Sequence, residues 1–216
     1  MRITLMIAAL TLGCARTAHA QELPAGPVVL ITAFHPFAQR QKNGSATVAE
    51  ALPRAVRDMQ VHSEIMAVKW TGPDTLVPAW VAHWRPRLLL GLGEGAAGSV
   101  RVEHLARNQA EGLDVANQPP PFAWLQADGP RTRRSTLEFD PKWELSREIA
   151  IAGSDDAGSF LCNALFYVAL AQPVERIGFI HLPPQGSEED AAYTARLVPI
   201  IAQIARRNLG LPPAGP

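Results

Sequence analysis

The sequence predicts a single three-layer α/β/α domain with a mostly parallel twisted sheet. Two observations lead to this prediction. Short apolar runs typical of buried strands alternate with stretches of helical apolar spacing, and roughly 200 residues remain after an amino-terminal leader is set aside. A chain of that length is sufficient for one well-buried domain and too short for two. The 20 acidic and 20 basic residues balance, which argues against nucleic acid or an anionic membrane as a partner.

The predicted elements follow one another in a simple order. Strands are expected at residues 28–34, 63–68, 87–93, 147–152 and 176–182, and helices near residues 45–58, 74–84, 157–171 and 188–208. Pro53 and Pro199 lie within two of the helical patterns and should end or kink them. The segment 109–146 has no periodicity that assigns it to either element. Strands that alternate with helices pair in parallel, so this order predicts the parallel sheet.

Residues 1–20 have the pattern of a secretory signal peptide. A basic Arg2 precedes an apolar run over residues 3–13, and an Ala-His-Ala cleavage motif ends at Ala20. The apolar run is too short to span a bilayer, which takes roughly 20 residues. We therefore expect cleavage after Ala20 and an exported domain, residues 21–216, that is periplasmic or secreted and not bound to a membrane.

Removal of the leader leaves a single cysteine, Cys162. Cys14 lies inside the leader and keeps lipoprotein processing open as an alternative. A lone thiol in an exported protein cannot form an internal disulfide, which indicates either reactivity or intermolecular pairing.

The position of Cys162 favours reactivity. A β-forming run at 148–152 leads into a Gly-Ser-Asp-Asp-Ala-Gly turn, and a helical pattern that includes Phe160 and Leu161 follows. Free backbone N–H groups and the positive end of the helix dipole stabilise a thiolate in a first turn. The residues alone leave a second interpretation open, in which Cys162 is a small buried apolar side chain.

A nucleophilic cysteine needs a base and a group that orients the base. His181 ends the predicted strand 176–182, at the edge where open α/β sheets carry their sites. Glu103 follows a glycine-rich stretch at 91–95 and is a candidate orienting residue. Taken singly, His181 is also explained as a strand-end histidine and Glu103 as a solvated carboxylate.

The sequence predicts no cofactor and no metal. The glycines at 91–95 match neither the dinucleotide fingerprint nor a phosphate loop, and tight backbone turning or amides facing a substrate explain them as well. The histidines are scattered, and neither a Cys-x-x-Cys nor a His-Glu-x-x-His motif is present.

Four blocks of the chain carry a family resemblance. They are Val28–Phe37 with Asn43, Gly91–Asn108, Ser154–Tyr167 and Gly178–Pro183. In this order they resemble the opening strand and loop, the glutamate block, the cysteine block and the histidine block of the type I pyroglutamyl peptidases, also called pyrrolidone-carboxylate peptidases. The resemblance implies an α/β fold, and it leaves homo-oligomers open because they are common in the family.

The resemblance also implies a mechanism and a substrate. Cys162 would be the nucleophile, His181 the general base and then acid, and Glu103 the residue that orients His181. The implied activity is that of a cysteine exopeptidase that hydrolyses an amino-terminal pyroglutamyl (5-oxoproline) residue from peptides through a thioester.

The resemblance extends to the substrate pocket. A pyroglutamyl ring has no charged amine, so its pocket should be apolar with a few polar groups. Phe34 and Phe37 match the ring-contacting phenylalanines of the family. Asn43, Phe160 and Leu161 complete the predicted substrate-binding set.

One departure from the family pattern keeps two alternatives open. Ala38 and Gln39 stand where the family has two glycines, a change that could reshape the pocket wall. The first alternative is an exported homologue that binds pyroglutamyl-like ligands without turnover. The second is an amidase or thioesterase that uses the same triad on another acyl group.

The leader gives a direct prediction. We expect the full chain, expressed with a carboxyl-terminal tag in a bacterium with a periplasm, to appear outside the cytoplasm with Gln21 as its first residue. Intact mass spectrometry measures this start, and Ala20→Arg should block the processing. A cytoplasmic chain that retains the leader would contradict the prediction, and a lipid-modified chain beginning at Cys14 would favour the alternative.

Overall fold

The computed structural model describes residues 26–212. The predicted leader, its cleavage point and Cys14 lie outside the described residues. In chain order the elements are β1 (Val28–Phe34), α1 (Gly44–Ala51), β2 (Ala55–Val56), β3 (Met59–Met66), α2 (Gly72–Trp84), β4 (Leu88–Glu94), β5 (Ser99–Glu103), β6 (Leu105–Arg107), β7 (Thr132–Arg134), β8 (Ala150–Ser154), α3 (Leu161–Ala169), β9 (Arg176–Leu182) and α4 (Asp190–Asn208).

A seven-stranded sheet forms the middle layer, in the order β2-β3-β1-β4-β9-β5-β8. The pairs β1 with β3, β1 with β4, β4 with β9, and β5 with β8 are parallel. The pairs β2 with β3 and β5 with β9 are antiparallel. The predicted α/β class with a mostly parallel sheet is confirmed.

The helices cover both faces of this sheet. Side chains alternate along each strand, so Val29, Ile31 and Leu90 pack with α1 and α4, whereas Leu30 and Phe179 pack with α2 and α3. Burial of both faces explains why the central strands are almost continuously apolar in the sequence.

The predicted helix at 45–58 is wrong beyond Ala51. Leu52 has an extended backbone, with ψ 125°, because the ring of Pro53 disfavours the helical conformation at the preceding residue. Pro53 thus ends the helix, as expected, whereas α4 continues through Pro199.

Other boundaries are shifted. The predicted strand at 147–152 is found at 150–154, and the helix expected from residue 157 begins at Leu161. Gly158 has a φ of +78°, which a right-handed helix does not accommodate, so the chain turns once more before α3 begins. Strand β5 was not predicted, because its alternating Arg101 and Glu103 do not form an apolar run.

The segment 109–146 contributes β7, which pairs with β6 in a separate two-stranded antiparallel sheet. Among residues 26–212, no helix combines the length and the apolarity needed to cross a bilayer.

Strand β4 lets α3 approach the sheet closely. A β-carbon on Gly91 would lie 2.4 Å from the Phe179 ring and 2.8 Å from the Leu165 side chain of α3. Such contacts are far inside van der Waals distance, so only glycine fits at this position without displacement of α3.

We expect Gly91→Ala to lower the free energy of unfolding by about 1–3 kcal/mol through overpacking. Denaturant titration measures the change. Gly72→Ala is the matched control, because its nearest neighbour, the sulfur of Met66, would lie at an ordinary 3.5 Å. Equal stability of the two variants would contradict the close-packing argument.

Candidate active site

The predicted site residues converge at one edge of the sheet. The carboxyl ends of the parallel strands β1, β4 and β9 meet there with the amino terminus of α3. A cavity of about 410 Å³ opens at this edge. All the predicted site residues except Glu103 line it, namely Phe34, Phe37, Asn43, Phe160, Leu161, Cys162 and His181. Glu103 lies behind His181, away from the cavity.

A buried hydrogen bond joins His181 to Glu103. The Nδ1 of His181 lies 2.7 Å from Oε1 of Glu103, and Glu103 is fully buried. A carboxylate only accepts hydrogen bonds, so Nδ1–H is the donor. Because β5 and β9 are adjacent antiparallel strands, two residues that are 78 positions apart in the chain meet here. This contact leaves Nε2 of His181 as the nitrogen for the thiol.

Cys162 is the second residue of α3, after Leu161 and the N-cap residue Phe160. The predicted position in a first helical turn is confirmed. The first N–H groups of a helix have no carbonyl acceptor within the helix, so they can donate hydrogen bonds to a thiolate or to an oxyanion.

The glycines at 91–95 have a spacing role that the sequence did not indicate. Gly93 lies in a regular strand, not in a tight turn, and a β-carbon there would lie 2.6 Å from Sγ of Cys162. A β-carbon on Gly95 would lie 2.8 Å from Cβ of His181. These two glycines therefore make room for the cysteine and the histidine.

The electrostatic environment favours a protonated His181. Burial lowers the pKa of His181, but hydrogen bonds with Cys162 and Glu103 and the negative charges of both partners outweigh burial and raise this pKa to about 9. The ring is therefore an imidazolium at neutral pH.

Aromatic rings form the apolar wall of the cavity. Phe34 is buried, and the centroids of Phe37 and Phe160 lie 6.2 Å apart. Trp70 packs edge-on against Phe160 at 5.4 Å and holds it from behind. Sequence reasoning missed Trp70, whose role follows from a contact between distant segments.

Asn43 lines the cavity, but its polar atoms are used within its own loop. The Oδ1 of Asn43 accepts hydrogen bonds from the backbone N–H and the hydroxyl of Ser45, and its amide donates to the carbonyl of His35. Asn43 is thus the N-cap of α1 and fixes the loop that carries Phe37.

Sequence reasoning also missed Glu94, a largely buried carboxylate at the end of β4. Its Oε1 accepts hydrogen bonds from the backbone N–H groups of Gly44, at 2.7 Å, and Gln185, at 3.0 Å. Its other oxygen forms an ion pair with Arg40. Glu94 therefore ties three loops together around the cavity. An acidic residue at the end of an apolar strand was the available signal.

Asn163, beside the cysteine, is a third missed residue. It is buried, and its side chain pairs with both the N–H and the C=O of Arg107 at 2.8 Å. This pairing fixes β6 against α3. A buried amide on an otherwise apolar helix face was the signal in the sequence. Within residues 26–212, no group of three His, Cys, Asp or Glu side chains is arranged to hold a metal ion.

Comparison with known proteins identifies similar chains. The pyroglutamyl peptidase family model matches residues 28–199. Pyroglutamyl-peptidase 1 of Homo sapiens is 28% identical over 184 residues, which cover 81% of this chain and 88% of that protein. Pyrrolidone-carboxylate peptidase of Pseudomonas fluorescens is 32% identical over 170 residues, which cover 72% of this chain and 78% of that protein.

Solved structures agree in fold. A mutant pyrrolidone carboxyl peptidase from Pyrococcus furiosus superimposes with a TM-score of 0.74 at 21% identity, over 84% of this chain and 99% of that one. The pyrrolidone carboxyl peptidase from Thermococcus litoralis gives a TM-score of 0.71 at 20% identity, over 88% and 99%.

The charge arrangement around His181 can be measured directly. We expect the ring resonances of His181 to titrate near pH 9 in the wild type, because Cys162 and Glu103 both stabilise the imidazolium. Glu103→Gln and Cys162→Ser should each move the transition to lower pH. Heteronuclear NMR of histidine-labelled protein provides the measurement. A wild-type transition below pH 6.5 would contradict the argument.

Proposed function

The chain belongs to the pyroglutamyl peptidase family, and from that membership we propose that it hydrolyses the peptide bond after an amino-terminal 5-oxoproline through a thioester on Cys162. It is a peptidase hydrolase. The observation that supports the proposed mechanism best is the buried pair of His181 and Glu103 beside a cysteine at a helix amino terminus.

The cavity suits the proposed substrate. A pyroglutamyl ring is flat and uncharged, and the wall formed by Phe34, Phe37 and Phe160 offers apolar surfaces for it. The volume of about 410 Å³ is sufficient for the ring and the start of the following residue. Substrates with a charged amino terminus would lose hydration against this wall without a compensating partner.

Acylation begins with the thiolate of Cys162. Its sulfur forms a bond with the carbonyl carbon of the pyroglutamyl residue, and the carbonyl electron pair moves to oxygen. The first backbone N–H groups of α3 can donate hydrogen bonds to this oxyanion. When the carbonyl re-forms, the carbon–nitrogen bond breaks, and the imidazolium of His181 gives its Nε2 proton to the departing amine. A thioester and a shortened peptide result.

Deacylation reverses these roles. His181, now neutral, removes a proton from water as the water oxygen adds to the thioester carbonyl. The carbon–sulfur bond then breaks, so that free pyroglutamate and the thiolate are released while the proton stays on His181. Glu103 keeps the ring oriented and stabilises its positive charge in both halves of the reaction.

We expect the mature chain to release a reporter amine from a pyroglutamyl amide under reducing conditions and to leave the matching prolyl amide intact. Cys162→Ser should lower kcat/KM by at least about 10³-fold, and Glu103→Gln by about 10²–10⁴-fold. The rate should fall as pH rises through about 9, since deprotonated His181 cannot protonate the leaving amine. Arg87→Gln, at the opposite end of β4, is the control that should retain activity.

Each contrary result has a distinct meaning. A folded wild type that binds the pyroglutamyl amide without turnover would replace the peptidase by a binding protein. Comparable hydrolysis of other acyl amides would indicate a general amidase or thioesterase.

A further inference from the structure

The side chain of Arg101 lines the catalytic cavity and has no hydrogen-bond partner among the described residues. Its Nε is buried and unpaired, while its side chain is 32% exposed. The nearest carboxylate oxygen, Oε1 of Glu103, lies 4.0 Å from Nε. That distance is too long for a hydrogen bond, and the same oxygen already accepts the bond from His181.

The other charged groups around the cavity are paired. Arg40 contacts Glu94, Asp156 contacts Arg107 at 2.7 Å, and His181 contacts Glu103 at 2.7 Å. Within residues 26–212, Arg101 is thus the cavity-lining arginine whose guanidinium makes no hydrogen bond, so its N–H donors can bind an incoming anion. A planar guanidinium with several N–H donors is best matched by a carboxylate.

Arg101 lies beside His181, the residue that protonates the leaving amine in the proposed mechanism. It is directly opposite His181 in the antiparallel pairing of β5 and β9, so the two side chains share one face of the sheet. Nη2 of Arg101 and Cβ of His181 lie 2.9 Å and 2.8 Å from the point that a β-carbon on Gly95 would occupy. His181 is the group that protonates the leaving amine, so the residue carrying that amine passes Arg101.

We propose that Arg101 binds a carboxylate on the residue that follows pyroglutamate, and that the enzyme thereby prefers acidic leaving peptides. The inference rests on the proposed function, because the apolar wall of Phe34, Phe37 and Phe160 must hold the ring for the leaving residue to reach Arg101. The carboxylate has two sources: the side chain of Asp or Glu in the position after pyroglutamate, or the free carboxyl terminus of a pyroglutamyl dipeptide.

Three probes separate these sources. Pyroglutamyl-glutamate amide and pyroglutamyl-glutamine amide differ only in the side-chain carboxylate, and pyroglutamyl-glutamine with a free carboxyl terminus tests the terminal one. For the wild type we expect kcat/KM to be about tenfold higher for a carboxylate probe than for the neutral amide, the usual scale of a partly exposed charge-assisted hydrogen bond. The ratio should fall with added salt.

Substitutions assign the preference to Arg101. In Arg101→Gln the ratio of kcat/KM for the carboxylate probe to that for the neutral probe should fall to near one. Arg101→Lys should restore part of the ratio, because lysine keeps the positive charge but lacks the planar guanidinium with its paired N–H donors. Arg87→Gln, which removes an exposed arginine far from the cavity, should leave the ratio as in the wild type. The ratio of kcat/KM for two probes is measured on the same variant, so a general loss of activity does not change it. An effect of Arg101 on the Glu103 and His181 pair alone would therefore leave the ratio unchanged.

Binding to Cys162→Ala, measured calorimetrically with the same probes, separates this inference from the proposed function. A carboxylate preference in binding, without hydrolysis of any probe by the wild type, would support Arg101 as the anion site and overturn the peptidase proposal. Hydrolysis with a ratio of one in the wild type, or a ratio that survives in Arg101→Gln, would overturn the role of Arg101 and leave the peptidase intact.

Discussion

The buried hydrogen bond between His181 and Glu103 is the interaction on which the site depends. Glu103 is completely buried, and its second oxygen has no hydrogen-bond partner among the described residues, so its charge is balanced by the imidazolium of His181 at 2.7 Å and, more weakly, by Arg101 at 4.0 Å. Loss of one partner from such a pair typically costs about 3–5 kcal/mol, because the other charge is left uncompensated in a poorly solvating interior. The antiparallel pairing of β5 with β9 is what brings Glu103 within 2.7 Å of His181 in this fold.

Glycines along the inner face of β4 and just beyond it provide the space for this chemistry. Gly91, Gly93 and Gly95 alternate with larger residues, so they share the face that α3 covers. A β-carbon would contact Phe179 at the first position, the Cys162 sulfur at the second, and both His181 and Arg101 at the third. Because these three glycines have no side chain, they determine how close the helix, the nucleophile and the base come to one another.

The loop before α1 has an unusual backbone conformation. Ala38 and Gln39 have φ values of 51° and 62°, in the left-handed region that glycine adopts without cost. In a non-glycine residue this conformation costs roughly 1–2 kcal/mol. The ion pair of Arg40 with Glu94 and the cap formed by Asn43 hold the chain directly after these two residues. Ala38 and Gln39 therefore adopt the left-handed conformation without being glycine, and they do so beside the cavity, where local strain is commonly located.

The sequence by itself determined the α/β class, the helix that begins beside Cys162 and the strand that carries His181 near its carboxyl end, because hydrophobic periodicity and turn residues act over a few neighbouring positions. Only the tertiary structure decided the antiparallel insertion of β5, the spacing role of the glycines, and the parts played by Glu94, Asn163 and Arg101. These features arise from contacts between residues that are tens of positions apart, and strand order and core packing control such contacts. The resemblance to a family suggested Glu103 as the partner of His181, but the distance between them is a property of the folded sheet.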